Sequence, residues 1–240
     1  MRFMVMHKVD AKMEAGEPPS QALVERMGEL IGEGMKSGVC VDGAGLHRSA
    51  RRARVRAGAE GAVLGPYSGE NELVQSMAMI KARSMEEATG VAKRFGKAAG
   101  NVEVEIGPVV EAWDLGIMPK PKSDFERYLL LLKGNEKTES GDALTPEERA
   151  ATASLESELT ESRVLLKRMT LAPSSKAKRL PSEPSGKRTW IDGPFSESKE
   201  LIAGFAVLEL PSIDDAIAWA ARYVAILGDN EVDIRELADG

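Results

Sequence analysis

Apolar positions in this chain follow two different periods. Arg2-Phe3-Met4-Val5-Met6-His7-Lys8 opens the chain as a strand-length apolar run, and Tyr128 to Leu132 forms a second one. Val164 to Leu171 and Ala203 to Leu210 also read as strands, a basic hairpin leads to a short strand at Thr189-Trp190-Ile191, and Glu231 to Leu237 alternates polar with apolar as a half-exposed strand does. Elsewhere the period is helical. Ile213, Ala216, Ile217, Ala220, Val224 and Leu227 recur at the spacing of one helix face, and Ser212-Ile213-Asp214-Asp215 caps that helix. Thr145-Pro146-Glu147-Glu148 supplies an N-cap, a proline at the first helical position and an acid for a capping box, with Leu155 and Leu159 on one face of the helix behind it. Helices over Ser20–Lys36 and Ser84–Lys97 are predicted in the first part of the chain, the second opened by Ser84 and Glu87.

The elements recur because the sequence recurs. Arg2-Phe3-Met4-Val5-Met6-His7-Lys8 aligns with Arg127-Tyr128-Leu129-Leu130-Leu131-Leu132-Lys133, and the same shift sets the basic stretch Arg51 to Val55 against Lys176 to Leu180. After an insertion of three residues, Gly65-Pro66-Tyr67 matches Gly193-Pro194-Phe195, Ser84-Met85-Glu86-Glu87-Ala88 matches Ser212-Ile213-Asp214-Asp215-Ala216, and Val102 to Ile106 matches Asn230 to Ile234. The pattern reads as a tandem duplication, with a first unit over residues 1–114, a linker over 115–124 marked by Pro119 and Pro121, and a second unit over 125–240. Each copy runs strand, helix, strand, strand, strand, helix, strand. Helices separated by strand pairs, without strict βαβ alternation, predict an α+β fold: two ferredoxin-like antiparallel-sheet units of βαββαβ type, forming an internal pseudo-dimer that resembles a dimeric α+β barrel.

Composition narrows the function. In 240 residues there are 42% hydrophobic and 29% charged side chains and a net charge of −6, an ordinary globular balance that argues against nucleic-acid binding. Cys40 is the single cysteine, so no internal disulfide is expected and a reducing compartment fits. No apolar run nears the roughly 20 residues of a membrane helix, and the early charges argue against a signal peptide; a cytoplasmic protein without membrane contact is expected.

Asp192-Gly193-Pro194-Phe195-Ser196-Glu197-Ser198-Lys199-Glu200, followed by Gly204-Phe205, Ser212-Ile213-Asp214-Asp215-Ala216 and Trp219-Ala220, resembles the YCII-related family in its DGPF branch over residues 125–237, and more weakly over 2–111. The resemblance implies ferredoxin-like units paired sheet to sheet, no established activity, and for some members a link to extracytoplasmic-function sigma factors. The wider family also implies a His–Asp pair with the histidine on the first helix. This sequence departs there: neither Ser20–Lys36 nor Thr145–Glu161 contains a histidine.

Asp192 is the leading site candidate, either as a base at a cleft rim or as the acceptor of an Asx-turn. Glu200 could share acid and base roles with it, while Lys199, Glu197, Phe195 and His7 are candidate ligand contacts. In the first copy Leu64, Gly69 and Asn71 replace Asp192, Glu197 and Lys199, so that site reads as eroded. Arg48, Arg51, Arg52, Arg54 and Arg56 read as a solvated hairpin and His47 as exposed. Met1, Met4, Met6, Met77 and Met79, with Phe205 and Trp219, could line a cavity between sheet and helices but read as core. No metal-ligand spacing, Walker loop or dinucleotide fingerprint is present, and no cofactor is expected. The expected partner is a small molecule or a protein, such as a sigma factor, bound at the Asp192 turn, with further homo-oligomerisation open. The alternative is a metal-free lyase or isomerase using Asp192 as base.

Overall fold

The computed structural model describes residues 1–56, 61–141, 144–183, 188–198 and 200–238. Strands β1 (Arg2–Lys8), β2 (Cys40–Leu46), β3 (Ala53–Val55), β4 (Ala62–Leu64), β5 (Val74–Ala82) and β6 (Val104–Val110) precede the linker. After it come β7 (Glu126–Lys133), β8 (Leu165–Thr170), β9 (Lys178–Leu180), β10 (Ile191–Asp192), β11 (Ile202–Glu209) and β12 (Val232–Glu236). The helices are α1 (Ala11–Ala15), α2 (Gln21–Ser37), α3 (Met85–Ala98), α4 (Glu136–Glu139), α5 (Pro146–Glu161) and α6 (Ile213–Leu227). The long helices start where the caps predicted them. Ser20, Ser84, Thr145 and Ser212 each accept a first-turn backbone N–H, and Glu148 closes the capping box on Thr145. The short α1 and α4 left no periodic signal in the sequence.

All named strand pairings are antiparallel, in a mixed helix and sheet fold of α+β class. The pairings cross the linker. β1 lies between β11 and β12, and β7 lies between β5 and β6, so a strand from each side of the linker is inserted between strands from the other side. β2 likewise pairs with β11, and β8 with β5. The strand order β12-β1-β11-β2-β6-β7-β5-β8 returns to its start through a bridge between Leu171 and Leu237, which makes a closed circuit. Short strands extend it: β9 and β10 beside β12, β3 and β4 beside β6.

Three apolar layers follow. Inside the circuit Met4, Met6, Met77, Met79, Leu129, Leu131, Met169 and Phe205 pack together, whereas Met1, expected in the core, precedes β1 and is exposed. Outside it, α2 and α6 cover Phe3, Val5, Ala206, Leu208 and Ile234, with Trp219 among them, while α3 and α5 cover Ala78, Ile80, Ile106, Leu130 and Leu132. This explains the uninterrupted apolar run in β7: a strand covered on both faces has no solvent side on which to place polar residues. No helix among the described residues is long and apolar enough to cross a membrane.

Candidate functional site

Both Gly-Pro turns sit on a short 3-10 turn that follows the second strand of the repeat. A Cβ on Gly65 would lie 1.7 Å from the Ser49 carbonyl oxygen, and one on Gly193 would lie 1.7 Å from that of Ser174. Only glycine permits so close an approach. Each serine then holds the turn, for Ser49 Oγ accepts the Tyr67 N–H (3.2 Å) and Ser174 Oγ accepts the Phe195 N–H (3.0 Å). The serines are buried and are themselves positioned by glutamates from the short helices: the backbone N–H of Ser49 donates to Glu14, and that of Ser174 to Glu139.

The aromatic side chain of each turn lies against a buried arginine. The Arg179 guanidinium is 4.1 Å from the centre of the Phe195 ring, and Arg54 is 4.3 Å from that of Tyr67. Beneath them are two charge clusters of the same design. Arg179 forms a fork with Asp233 (2.6 and 2.9 Å) and donates to the Glu197 carbonyl, while Lys8 reaches Asp233 at 3.2 Å. Arg54 bonds Glu105 and Glu72, and Lys133 pairs with Glu72 and lies 3.5 Å from Glu105. Each lysine comes from the inserted strand, so each cluster is assembled from both repeats. Burial alone would raise the Glu105 carboxyl, but Lys133, Arg52 and Arg54 outweigh it and hold it down at about 2. Burial is likewise overcome at Asp233 by Lys8 and Arg179, which keep it below the usual carboxylate range. The arginine stretch is therefore only in part the solvated hairpin its composition suggested: Arg48, Arg51 and Arg56 are exposed, but Arg52 and Arg54 are not. Arg52, Arg54 and Arg179 are buried, because the acids that neutralise them arrive from distant strands.

The clusters differ in one compensated way. Arg52 Nε donates to the His47 carbonyl (2.5 Å) and its Nη1 to Glu105 (2.8 Å). The residue that aligns with Arg52 after the linker is Ala177, and there Arg235 donates to the Ala172 carbonyl, which aligns with that of His47. Arg235 matches Gly107, and a Cβ on Gly107 would meet Arg52 Cγ and Cδ at 3.4 Å. A guanidinium thus reaches the matching carbonyl from two different places, from the residue ahead of β3 and from β12. Arg52→Ala alone should destabilise by about 3 kcal/mol, because it removes one partner of a buried ion pair. Gly107→Arg should destabilise alone by crowding Arg52, but recover part of the loss in the Arg52→Ala background. A double-mutant cycle from urea melts should return a favourable coupling of at least about 1 kcal/mol.

Of the residues expected to form the site, Phe195 and Glu197 meet at Arg179. Asp192 ends β10, exposed and ion-paired with Lys178 of the adjacent strand, rather than partly buried at a cleft rim. Glu200 is exposed, whereas its counterpart Glu72 is buried in the first-copy cluster. Lys199 lies outside the described residues. His7 is turned away from Lys8 to the helix-covered face, where its Nδ1 meets the Tyr223 hydroxyl at 2.7 Å; burial lowers its pKa to about 4. Gly204 makes room for it, since a Cβ there would lie 2.7 Å from His7 Cε1.

Sequence reasoning missed a second place where polar groups converge. His47 is half-buried, not exposed, and its Nε2 lies 3.3 Å from Asp114 Oδ2. Asp114 sits in a tight turn just ahead of the linker: the Asp114 N–H donates to the Glu111 carbonyl, and the Glu111 N–H donates back to Asp114 Oδ2 (2.9 Å). The pair borders a shallow groove of about 40 Å³, lined also by Arg51 and Trp113.

No curated protein and no solved structure gives a significant match to the chain. One family model does match, and it spans residues 127–236, from β7 through the second Gly-Pro turn and the buried Arg179–Asp233 fork to β12. That stretch fits the YCII-related domain.

Proposed function

We propose that the chain is a tandem YCII-related protein of the DGPF branch, and that its two copies, with opening strands exchanged, form an internal pseudo-dimer that binds a small molecule at the Asp192–Glu200 turn. The observation that carries this reading is the rigid base beneath the motif. Phe195 is held over Arg179, Arg179 is locked by Asp233 and the Glu197 carbonyl, and Ser174 fixes the turn, while Asp192, Ser196 and Glu200 remain exposed above. A pre-ordered frame that displays polar groups to solvent favours binding, because little ordering cost remains when a ligand arrives. Proton transfer by Asp192 gains no comparable support, since its carboxylate is solvated and paired with Lys178.

A thermal-shift screen of a broad metabolite panel tests this. A ligand at one hundred times its dissociation constant adds about 2.7 kcal/mol, or roughly 5–10 °C in a chain of this size. The expected result is a hit that is weakened or lost in Asp192→Asn. A panel without hits, or a hit indifferent to that substitution, removes the small-molecule reading at this turn and turns the search to a protein partner such as a sigma factor.

A further inference from the structure

Glu72 and Glu200 align, yet the first is buried and the second exposed. Three donors hold the buried carboxylate. Arg54 Nη2 and Lys133 Nζ bond its two oxygens, and the Glu70 N–H donates to it at 3.0 Å. Each donor has an aligned counterpart on the other side of the linker: Arg179, Lys8 and the N–H of Ser198. There Glu200 does not close them, and the departure is local. The Val9 N–H donates to the Leu201 carbonyl as the Gly134 N–H donates to that of Leu73, so the two sides correspond again one residue later. At Glu72 the N–H donates to the Ser198 carbonyl (2.7 Å), but no bond from Glu200 to Glu70 answers it.

The neighbouring acids occupy other places. Asp233 aligns with Glu105 and takes Nε and one N–H of Nη2 of Arg179. Glu231 aligns with Glu103, and both sit on the Nε side of their arginine, at 3.5 and 3.9 Å. Glu231 is also 3.9 Å from Lys8, beyond hydrogen-bond distance. Lys8 is 2% exposed, and Asp233, at 3.2 Å, is the one carboxylate among the described residues close enough to bond its three-donor ammonium. The N–H of Ser198, itself buried, meets no acceptor among the described residues. The buried charges count the same way. Arg52, Arg54 and Lys133 have Glu72 and Glu105, whereas Arg179, Arg235 and Lys8 have Asp233, with Glu139 and Glu231 supplementing it from less buried positions. Solvent reaches the place, since the side chain of Arg179 is 9% exposed and that of Glu231 17%.

We infer that Arg179, Lys8 and the Ser198 N–H form a carboxylate cradle at the second Gly-Pro turn, and that the ligand of this turn is a small carboxylate seated there as Glu72 is seated on Arg54 and Lys133. The assignment rests on the binding reading of that turn and names the class of ligand it takes. Two cationic donors and a backbone N–H, converging on the place of two oxygens, suit a carboxylate. The Phe195 ring over Arg179 adds an apolar wall beside it.

Sodium propionate carries the atoms of a glutamate side chain and is the probe. The full chain is titrated near neutral pH and followed through its backbone amides by proton–nitrogen correlation NMR. The expected result is a saturable downfield shift of the Ser198 amide proton, while that of Glu70, already bonded to Glu72, stays fixed. Lys8→Met should raise the dissociation constant at least about tenfold, the loss of one charged hydrogen bond. The wild-type titration decides by itself if that variant does not fold. A Ser198 amide that propionate leaves unmoved, or that equimolar chloride moves equally, overturns the assignment, as does a folded Lys8→Met chain that binds as before. So does a Ser198 amide that lies downfield without propionate and moves upfield in Glu200→Gln, for then Glu200 fills the cradle itself. The two readings fail separately: a metabolite hit lost in Asp192→Asn, beside a Ser198 amide indifferent to propionate, removes the cradle and leaves the turn site standing.

Discussion

Glu105→Ala is expected to be among the most destabilising single substitutions in this protein. Glu105 is fully buried and is contacted by Arg52, Arg54 and Lys133. Removing it leaves the buried cations with fewer acceptors than charges, and breaking a buried ion pair from one side costs about 3–5 kcal/mol. In a chain of this length that lowers the melting temperature by roughly 6–20 °C. Asp192→Asn, which breaks an exposed pair, should cost less than about 1 kcal/mol. The same cluster sets an acid limit. The Glu105 carboxyl is held down at about 2 in the fold, well below the ordinary carboxylate range. Its contribution is therefore complete above pH of about 4.5 and is lost as the pH falls toward 2, where the folded carboxyl takes up its proton. Melting curves from pH 5 to 2 should decline steeply for the wild type and less steeply for Glu105→Gln, whose baseline is already lower. The slope should not vanish, since Asp233 is lowered in the same direction by Lys8 and Arg179. Equal slopes in the two chains would remove Glu105 as the source.

The clusters had a signal in the sequence that composition concealed. Lys8 and Lys133, Arg54 and Arg179, and Glu105 and Asp233 are like charges at positions that align on either side of the linker, on strands otherwise rich in apolar residues. Charges repeated within strands covered on both faces have only one another for partners. Arg52 and Arg54 are two residues apart, the spacing of one strand face; that this face points inward depends on Glu72, Glu105 and Lys133, which lie far away along the chain. The caps of the long helices were legible because a cap is local: Thr145 and Glu148 are three residues apart and need no tertiary context. The His47–Asp114 contact joins positions 67 residues apart, the second of them just ahead of a linker whose prolines suggested an extended path. Its available signal was the run Glu111-Ala112-Trp113-Asp114 ahead of Gly116, which is turn chemistry. Strand exchange left no signal at all. Phe3 to Met6 and Tyr128 to Leu132 carry the same pattern, so either run suits the gap between β5 and β6 or that between β11 and β12.

That degeneracy sets the second large effect, which concerns where the chain can be cut. Residues 48–172 hold β3 to β8 with α3 and α5, and the whole apolar layer from Ala53 to Leu165 beneath those helices lies within them. Residues 125–240 hold β7 without its neighbours β5 and β6, and β11 and β12 without β1 between them. The stretch that follows the repeat boundary is thus the worse fragment, and the stretch that ignores it the better one. Residues 48–172 should unfold cooperatively and self-associate through Met77, Met79, Leu129, Leu131 and Met169, the ring face that lost its cover. Residues 125–240 should either aggregate or exchange β7 between two chains, and give no stable monomer in sedimentation. A monomeric, cooperatively melting 125–240 would mean that β7 can return to the gap between β11 and β12 of its own repeat. The exchange would then be a consequence of joining two copies in one chain, where each opening strand has a near-identical site in the other copy, rather than a requirement of the fold.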